Sequence, residues 1–167
     1  MNRDLLDKLY LKMTEYFSGD PKRIHHFIKV NSLASLIGRQ EGLSERDLFV
    51  LETAAYIHDC GIKPAEEKFG SCSGKLQEQE GSVVSEAILS ELGFDKDIID
   101  RVCYLVGRHH TYKNIDGKDC QILIEADFLV NLYEDGVSKD AILTAKERIF
   151  KTKSGTEILN KMYGIVR

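Results

Sequence analysis

The chain of 167 residues has the length of one domain, enough to bury a hydrophobic core and keep a pocket beside it. With 43% hydrophobic and 30% charged residues and only two prolines, it lies far from disordered and fibrous compositions. A formal net charge of −4 without a large basic cluster gives no electrostatic reason to expect a nucleic-acid duplex or an anionic membrane as partner. No apolar run approaches the roughly 20 residues of a spanning helix, so a cytoplasmic protein is expected.

Apolar residues recur at helical spacing along nearly the whole chain, while the alternating strand pattern is missing, and an all-α fold follows. Helices are predicted over 3–17, 21–42, 44–60, 75–92, 95–109, 120–134, 138–150 and 155–163. The stops agree with this division. Asp20 stands before Pro21 as a cap before a first-turn proline, and Gly42 then Ser44 ends one helix and opens the next, as Gly93 and Asp95 do again. Residues 61–74 and 111–119, rich in Gly, Lys and small polar side chains, are predicted as loops. Each follows a histidine-bearing segment, so both should border a pocket. One domain over 1–167 is expected, its core at about 21–135, with the helices of 138–166 packed on it. Ile142, Ile149 and Ile158 would either cover that core or form a homodimer surface; periodicity does not separate the two.

Cys60, Cys72, Cys103 and Cys120 are scattered and form no Cys-x-x-Cys pair, which argues for reduced thiols and against a thiolate zinc site. The chemistry sits elsewhere. His58 shares the apolar face of its helix with Leu51, Ala54 and Ala55, and Asp59 follows it directly. A carboxylate beside a histidine that faces the core requires a cation. His26 lies likewise on the stripe of Val30, Leu33 and Ile37. Asp127 stands within the most hydrophobic run of the chain, residues 121–130, where an arginine partner or a metal would have to compensate it. Taken singly, each of these residues also suits a satisfied core position; it is their conjunction that points to a mixed nitrogen and oxygen site for a divalent ion such as Mn, Fe, Co, Ni, Mg or Zn. A water bound there would be a nucleophile near neutral pH, and Lys63, four residues after Asp59, could add positive charge to a phosphate.

The order His26, His58-Asp59, Asp127 resembles the H…HD…D signature of the HD-domain superfamily of metal-dependent phosphohydrolases. The stretch Arg23-Ile24-x-His26 is similar to that family's first helix, residues 54–63 to its central Ala-Ala-x-x-His-Asp-x-Gly-x-Lys stretch, and Glu125-Ala126-Asp127 to its last ligand helix. The resemblance implies a single compact multi-helix bundle around a metal held by His26, His58, Asp59 and Asp127. It implies catalysis by Asp59 and Lys63 on a small phosphorylated molecule, nucleotide-like in many members.

Departures from the pattern carry information as well. Ile62 stands where alarmone hydrolases and some nucleotidases of the family place an acid. Gly81-Ser82 and His109-His110 align with motifs of two-metal members, but Gln77 occupies a histidine slot, which leaves Glu80 as a substitute ligand. Gln77, Glu80, His109 and His110 are therefore candidates for a second metal or a phosphate contact, with a dipole-stabilised helix end as the alternative for the two histidines. Two other functions compete with hydrolysis: a two-iron oxygenase of the HD type, and a nucleotide-binding module without catalysis.

Overall fold

The computed structural model describes residues 2–166, and all regular structure among them is helical. In chain order the helices are α1 (Arg3–Tyr16), α2 (Pro21–Gln40), α3 (Glu45–Ile57), α4 (Ile62–Phe69), α5 (Gly74–Leu92), α6 (Lys96–Val106), α7 (Lys118–Glu134), α8 (Lys139–Arg148) and α9 (Lys153–Met162). Local chemistry sets several of the starts. The Asp20 side chain accepts from Arg23 N ahead of Pro21, the Ser44 side chain from Asp47 N, and the Thr152 side chain from Gly155 N. Gly93 closes α5 in the left-handed conformation, while Asp95 takes the cap position of α6 without a side-chain bond.

The predicted loop over 61–74 is corrected by α4. Pro64 falls in its first turn, where a missing N–H costs nothing, Ile62 and Ala65 bury one face, and Gly70 stops the helix with a φ of +64°. Only the short stretch before Gly74 is irregular. Gly61 itself has an ordinary φ of −79°, so its lack of a side chain answers to space. A Cβ there would stand 2.2 Å from the carbonyl oxygen of Gln77 and 2.6 Å from Gly81 N, so the turn after His58-Asp59 lies directly on the backbone of α5.

Helices α2, α3 and α7 pack pairwise on one another, and their buried faces meet in one core. None of the described helices is long and apolar enough to cross a membrane. Helix α9 touches α7 and α2. Its attachment is polar: the fully buried Glu125 of α7 accepts from the backbone N–H groups of Lys151 and Thr152 at 2.7 and 2.9 Å and from the Thr152 hydroxyl at 2.5 Å. A carboxylate thus caps the positive end of α9 two residues before Asp127.

Candidate metal centre

Three helices deliver four side chains to one point. His26 comes from α2, Asp127 from the middle of α7, and His58 takes the C-cap place of α3 with Asp59 in the turn that follows. His26 Nε2 lies 3.2 Å from His58 Nε2, 3.2 Å from Asp59 Oδ2 and 3.1 Å from Asp127 Oδ1. His58 Nε2 lies 3.5 Å from Asp59 Oδ2 and 3.4 Å from Asp127 Oδ1. Adjacent donors around an ion at about 2.1 Å stand about 3.0 to 3.4 Å apart in octahedral or tetrahedral geometry, so the spacing suits a shared cation.

Hydrogen bonds behind the cluster settle which ring nitrogens face it. His58 Nδ1 lies 2.8 Å from the carbonyl oxygen of Ala55, which can only accept, so Nδ1 carries the proton and Nε2 the lone pair. His26 Nδ1 donates in the same way to Glu134 Oε2 at 3.1 Å, and Lys29 Nζ holds the other oxygen of Glu134 at 2.8 Å. Asn131 Nδ2 donates to Asp127 Oδ1 at 2.9 Å, one turn along α7. Such partners orient ligands and fix their tautomers in metal sites generally.

Charge is unevenly balanced in the cluster. Burial by itself lowers the His26 pKa, but hydrogen bonds to Asp127 and Asp59 overcome it and raise it to about 10. Burial likewise works to raise the two carboxyls, yet the surrounding imidazoles hold Asp59 well below the usual carboxylate range and depress Asp127 too. The two acids are thus anionic and draw a proton onto His26, the place a cation would fill.

The family profile described as HD domain matches residues 23–146, a span that takes in all four side chains. The chain belongs to the HD domain family. That is a family of metal-dependent hydrolases, and the His and Asp groups here have the donor chemistry for a divalent ion. Among solved structures, the fold is similar to a protein described as a predicted HD superfamily hydrolase from an uncultured Thermotogales bacterium. The two share 24% identity with a TM-score of 0.68, over 95% of this chain and 84% of the other. At that identity the likeness speaks for the fold. No curated protein matches the sequence.

The remaining candidate residues of this HD domain are distributed around the cluster. His109 is buried, its Nδ1 donates to the carbonyl of Val106 at 2.7 Å, and its Nε2 has no hydrogen-bond partner among the described residues, standing 3.7 Å from Asp59 Oδ1. His110 Nε2 pairs with Gln77 Oε1 at 3.0 Å, while Gln77 Nε2 donates to the carbonyl of Cys72 at 2.6 Å. Asp59, His109 and His110 lie close enough to hold an ion together, and Gln77 supports His110 from behind. Glu80 is committed elsewhere, to Lys68 Nζ at 2.7 Å. Lys63 stands outside the cluster, its Nζ on the carbonyl of Tyr16 at 3.2 Å.

Three partners escaped the sequence reading: Glu134, Asn131 and Arg23, whose Nη1 lies 3.9 Å from Asp59 Oδ2. Arg23 and Lys63 share a groove of about 180 Å³ with Asp20, Glu66, Phe17, Ser18 and Ile62, so its two cations are matched by two acids. Helical spacing held the signal: Arg23 sits one turn before His26, and Asn131 and Glu134 follow Asp127 at four and seven positions.

Proposed function

We propose that this HD domain is a phosphohydrolase that cleaves a small, nucleotide-like phosphate monoester with water. The observation that carries the reading is that two imidazole Nε2 atoms 3.2 Å apart each lie 3.1 to 3.5 Å from one oxygen of Asp59 and one of Asp127, with an arginine on their flank. His26, His58, Asp59 and Asp127 would hold the ion. When bound, a divalent cation lowers the pKa of a ligated water and neutralises charge on a phosphoryl oxygen.

The protein's own groups supply the rest. Asp59 Oδ2 faces the cluster while Oδ1 faces His109, so this carboxylate can orient a water and receive its proton. Arg23 lies on the same carboxylate's flank, with its planar fork suited to phosphate oxygens. Lys63 lies on the groove beside it, whose wall also carries Asp20 and Glu66, and would contribute its charge near the ester's oxygens. A cytoplasmic location and a dimeric assembly accord with this reading without carrying it.

Replacing Asp59 with Ala tests the reaction. The variant should lose divalent-metal-dependent hydrolysis of a phosphate-ester panel, with helicity by circular dichroism unchanged. Retained turnover would overturn the mechanism, and tight nucleotide binding without turnover in the unmodified protein would favour a non-catalytic module. A second reading, oxidation by two irons, draws on the unpartnered His109 Nε2 beside Asp59 and His110. Two irons per chain with oxygen uptake would support it over hydrolysis.

A further inference from the structure

Aromatic rings run in a continuous row from the metal centre towards the surface. Centroids are 5.2 Å apart from His26 to His58, 5.2 Å from His58 to His109, and 4.0 Å from His109 to His110. Beyond them the hydroxyl of Tyr112 lies 3.5 Å from His110 Nδ1. Exposure rises along this row: His58 and His109 are closed off at 0% and 1%, His110 is half-buried, and Tyr112 is 43% exposed. The row therefore leads from the enclosed centre to a side chain that meets water.

Tyr112 is held in place. Its ring stands edge to face with Phe128, the neighbour of Asp127, at 5.3 Å between centroids. The segment that carries it is fixed on both sides. His110 N and the Thr111 hydroxyl donate to Glu78 Oε1 at 3.0 and 2.8 Å, and Arg101 binds the side chain and the carbonyl of Asp116, each at 2.8 Å. A single half-exposed tyrosine is ordinary on a protein surface. One whose ring is braced by Phe128 and whose backbone is tied to two other elements has its ordering cost met before any ligand arrives.

The two flanks of the centre differ in chemistry. On one, Arg23 reaches to 3.9 Å from Asp59 Oδ2 and shares a groove with Lys63, Asp20 and Glu66. On the other stands a neutral aromatic surface: burial, followed by the charges of Asp127 and Glu78, raises the Tyr112 phenol to about 12, which leaves it uncharged and a poor proton donor near pH 7. A monoester of a nucleoside matches both, with its phosphate at the ion site beside Arg23 and its base towards the ring.

We infer that Tyr112 is a specificity-determining residue, a stacking platform for the flat ring of the leaving group, so that nucleoside monophosphates are favoured over phosphates of simple sugars. The inference rests on the phosphohydrolase reading for the orientation of the ester.

Binding can test it independently of turnover. The probes are the phosphonate analogues of AMP and of ribose 5-phosphate, whose carbon–phosphorus bond resists hydrolysis. Each is titrated calorimetrically into the metal-loaded protein, its Tyr112→Ala variant and its Tyr112→Phe variant. Base stacking on an aromatic side chain leads to an expected preference of about tenfold or more for the AMP analogue in the unmodified protein. Tyr112→Ala should bring the ratio close to one by weakening only the AMP analogue, and Tyr112→Phe should preserve it. Equal affinity for the two analogues in the unmodified protein, no binding of either, or an unchanged ratio in Tyr112→Ala would each overturn the inference. A protein that shows the ratio yet hydrolyses no ester would contradict the proposed reaction while leaving the platform standing.

Discussion

Glu134 accepts the Nδ1 proton of His26 across a separation of 108 residues, at 3.1 Å, and so turns Nε2 towards Asp59 and Asp127. The contact joins the end of α7 to the start of α2 behind the metal centre. Lys29 Nζ binds the other oxygen of Glu134 at 2.8 Å, which holds that carboxylate in register.

Glu134→Ala should therefore weaken divalent-metal affinity by about 10- to 100-fold, the usual effect of removing a partner behind a ligand. Glu134→Gln should lose less, because its amide oxygen can still accept from Nδ1. Competition with a chromophoric chelator measures both; equal affinity in all three proteins would remove Glu134 from the site.

A steric prediction concerns Gly61. A methyl group there would press on the backbone of Gln77 and Gly81, at 2.2 and 2.6 Å, and neither can swing aside as a flexible side chain would. Gly61→Ala should cost about 3 kcal/mol, at the upper end of overpacking, and should loosen the turn that carries Asp59. Urea unfolding checks this; a cost below about 1 kcal/mol would mean that α4 and α5 can separate without consequence.

The candidate site was legible in the sequence for a reason these residues illustrate. His26, His58 and Asp127 each interrupt an apolar helical face, and a polar group in such a place needs compensation that one sequence can reveal. The supporting shell has no such mark. Glu134 lies at a helix end, where an acid is unremarkable, and its bond to His26 exists only once α2 and α7 are packed. Arg23 looks like any charge in a first helical turn. Helix α4 was hidden by composition: the glycines and serines of 70–74 suggest a loop, whereas Ile62 and Ala65 only show their common face when α5 lies against them. Glu80 shows what spacing leaves unsaid: a suitable ligand type by sequence, it pairs with Lys68 Nζ at 2.7 Å once α4 and α5 are packed.

The cysteines give a prediction free of the metal. Cys60 is fully enclosed, and burial raises its thiol to about 12; burial also raises Cys120, almost as enclosed, and half-buried Cys103, each to about 11. Their thiolate fractions at pH 8 are negligible, and the thiolate is the reactive form. Cys72, half-buried in the short irregular stretch before α5, should react first with a disulfide reagent such as DTNB. One fast equivalent is expected under native conditions, and Cys72→Ser should abolish it. A fast phase that survives the substitution would show that another cysteine is open to solvent.

The balance of charge around His26 makes the metal-free protein sensitive to alkaline pH. Its folded pKa of about 10 lies above the unfolded value of about 6.5, so the protonated imidazole contributes stability that is fully present below pH 6.5. That contribution fades as pH rises towards 10, because the folded state then loses the proton that held Asp59 and Asp127 together. A divalent ion on the same nitrogen replaces the proton, so the loaded protein should lack this decline. Thermal melts of chelator-treated and metal-loaded protein between pH 6.5 and 10 compare the two: the melting temperature of the first should fall by several degrees more than that of the second. Parallel profiles would mean that His26 carries no proton in the metal-free protein, and that the two carboxylates are balanced by some other group.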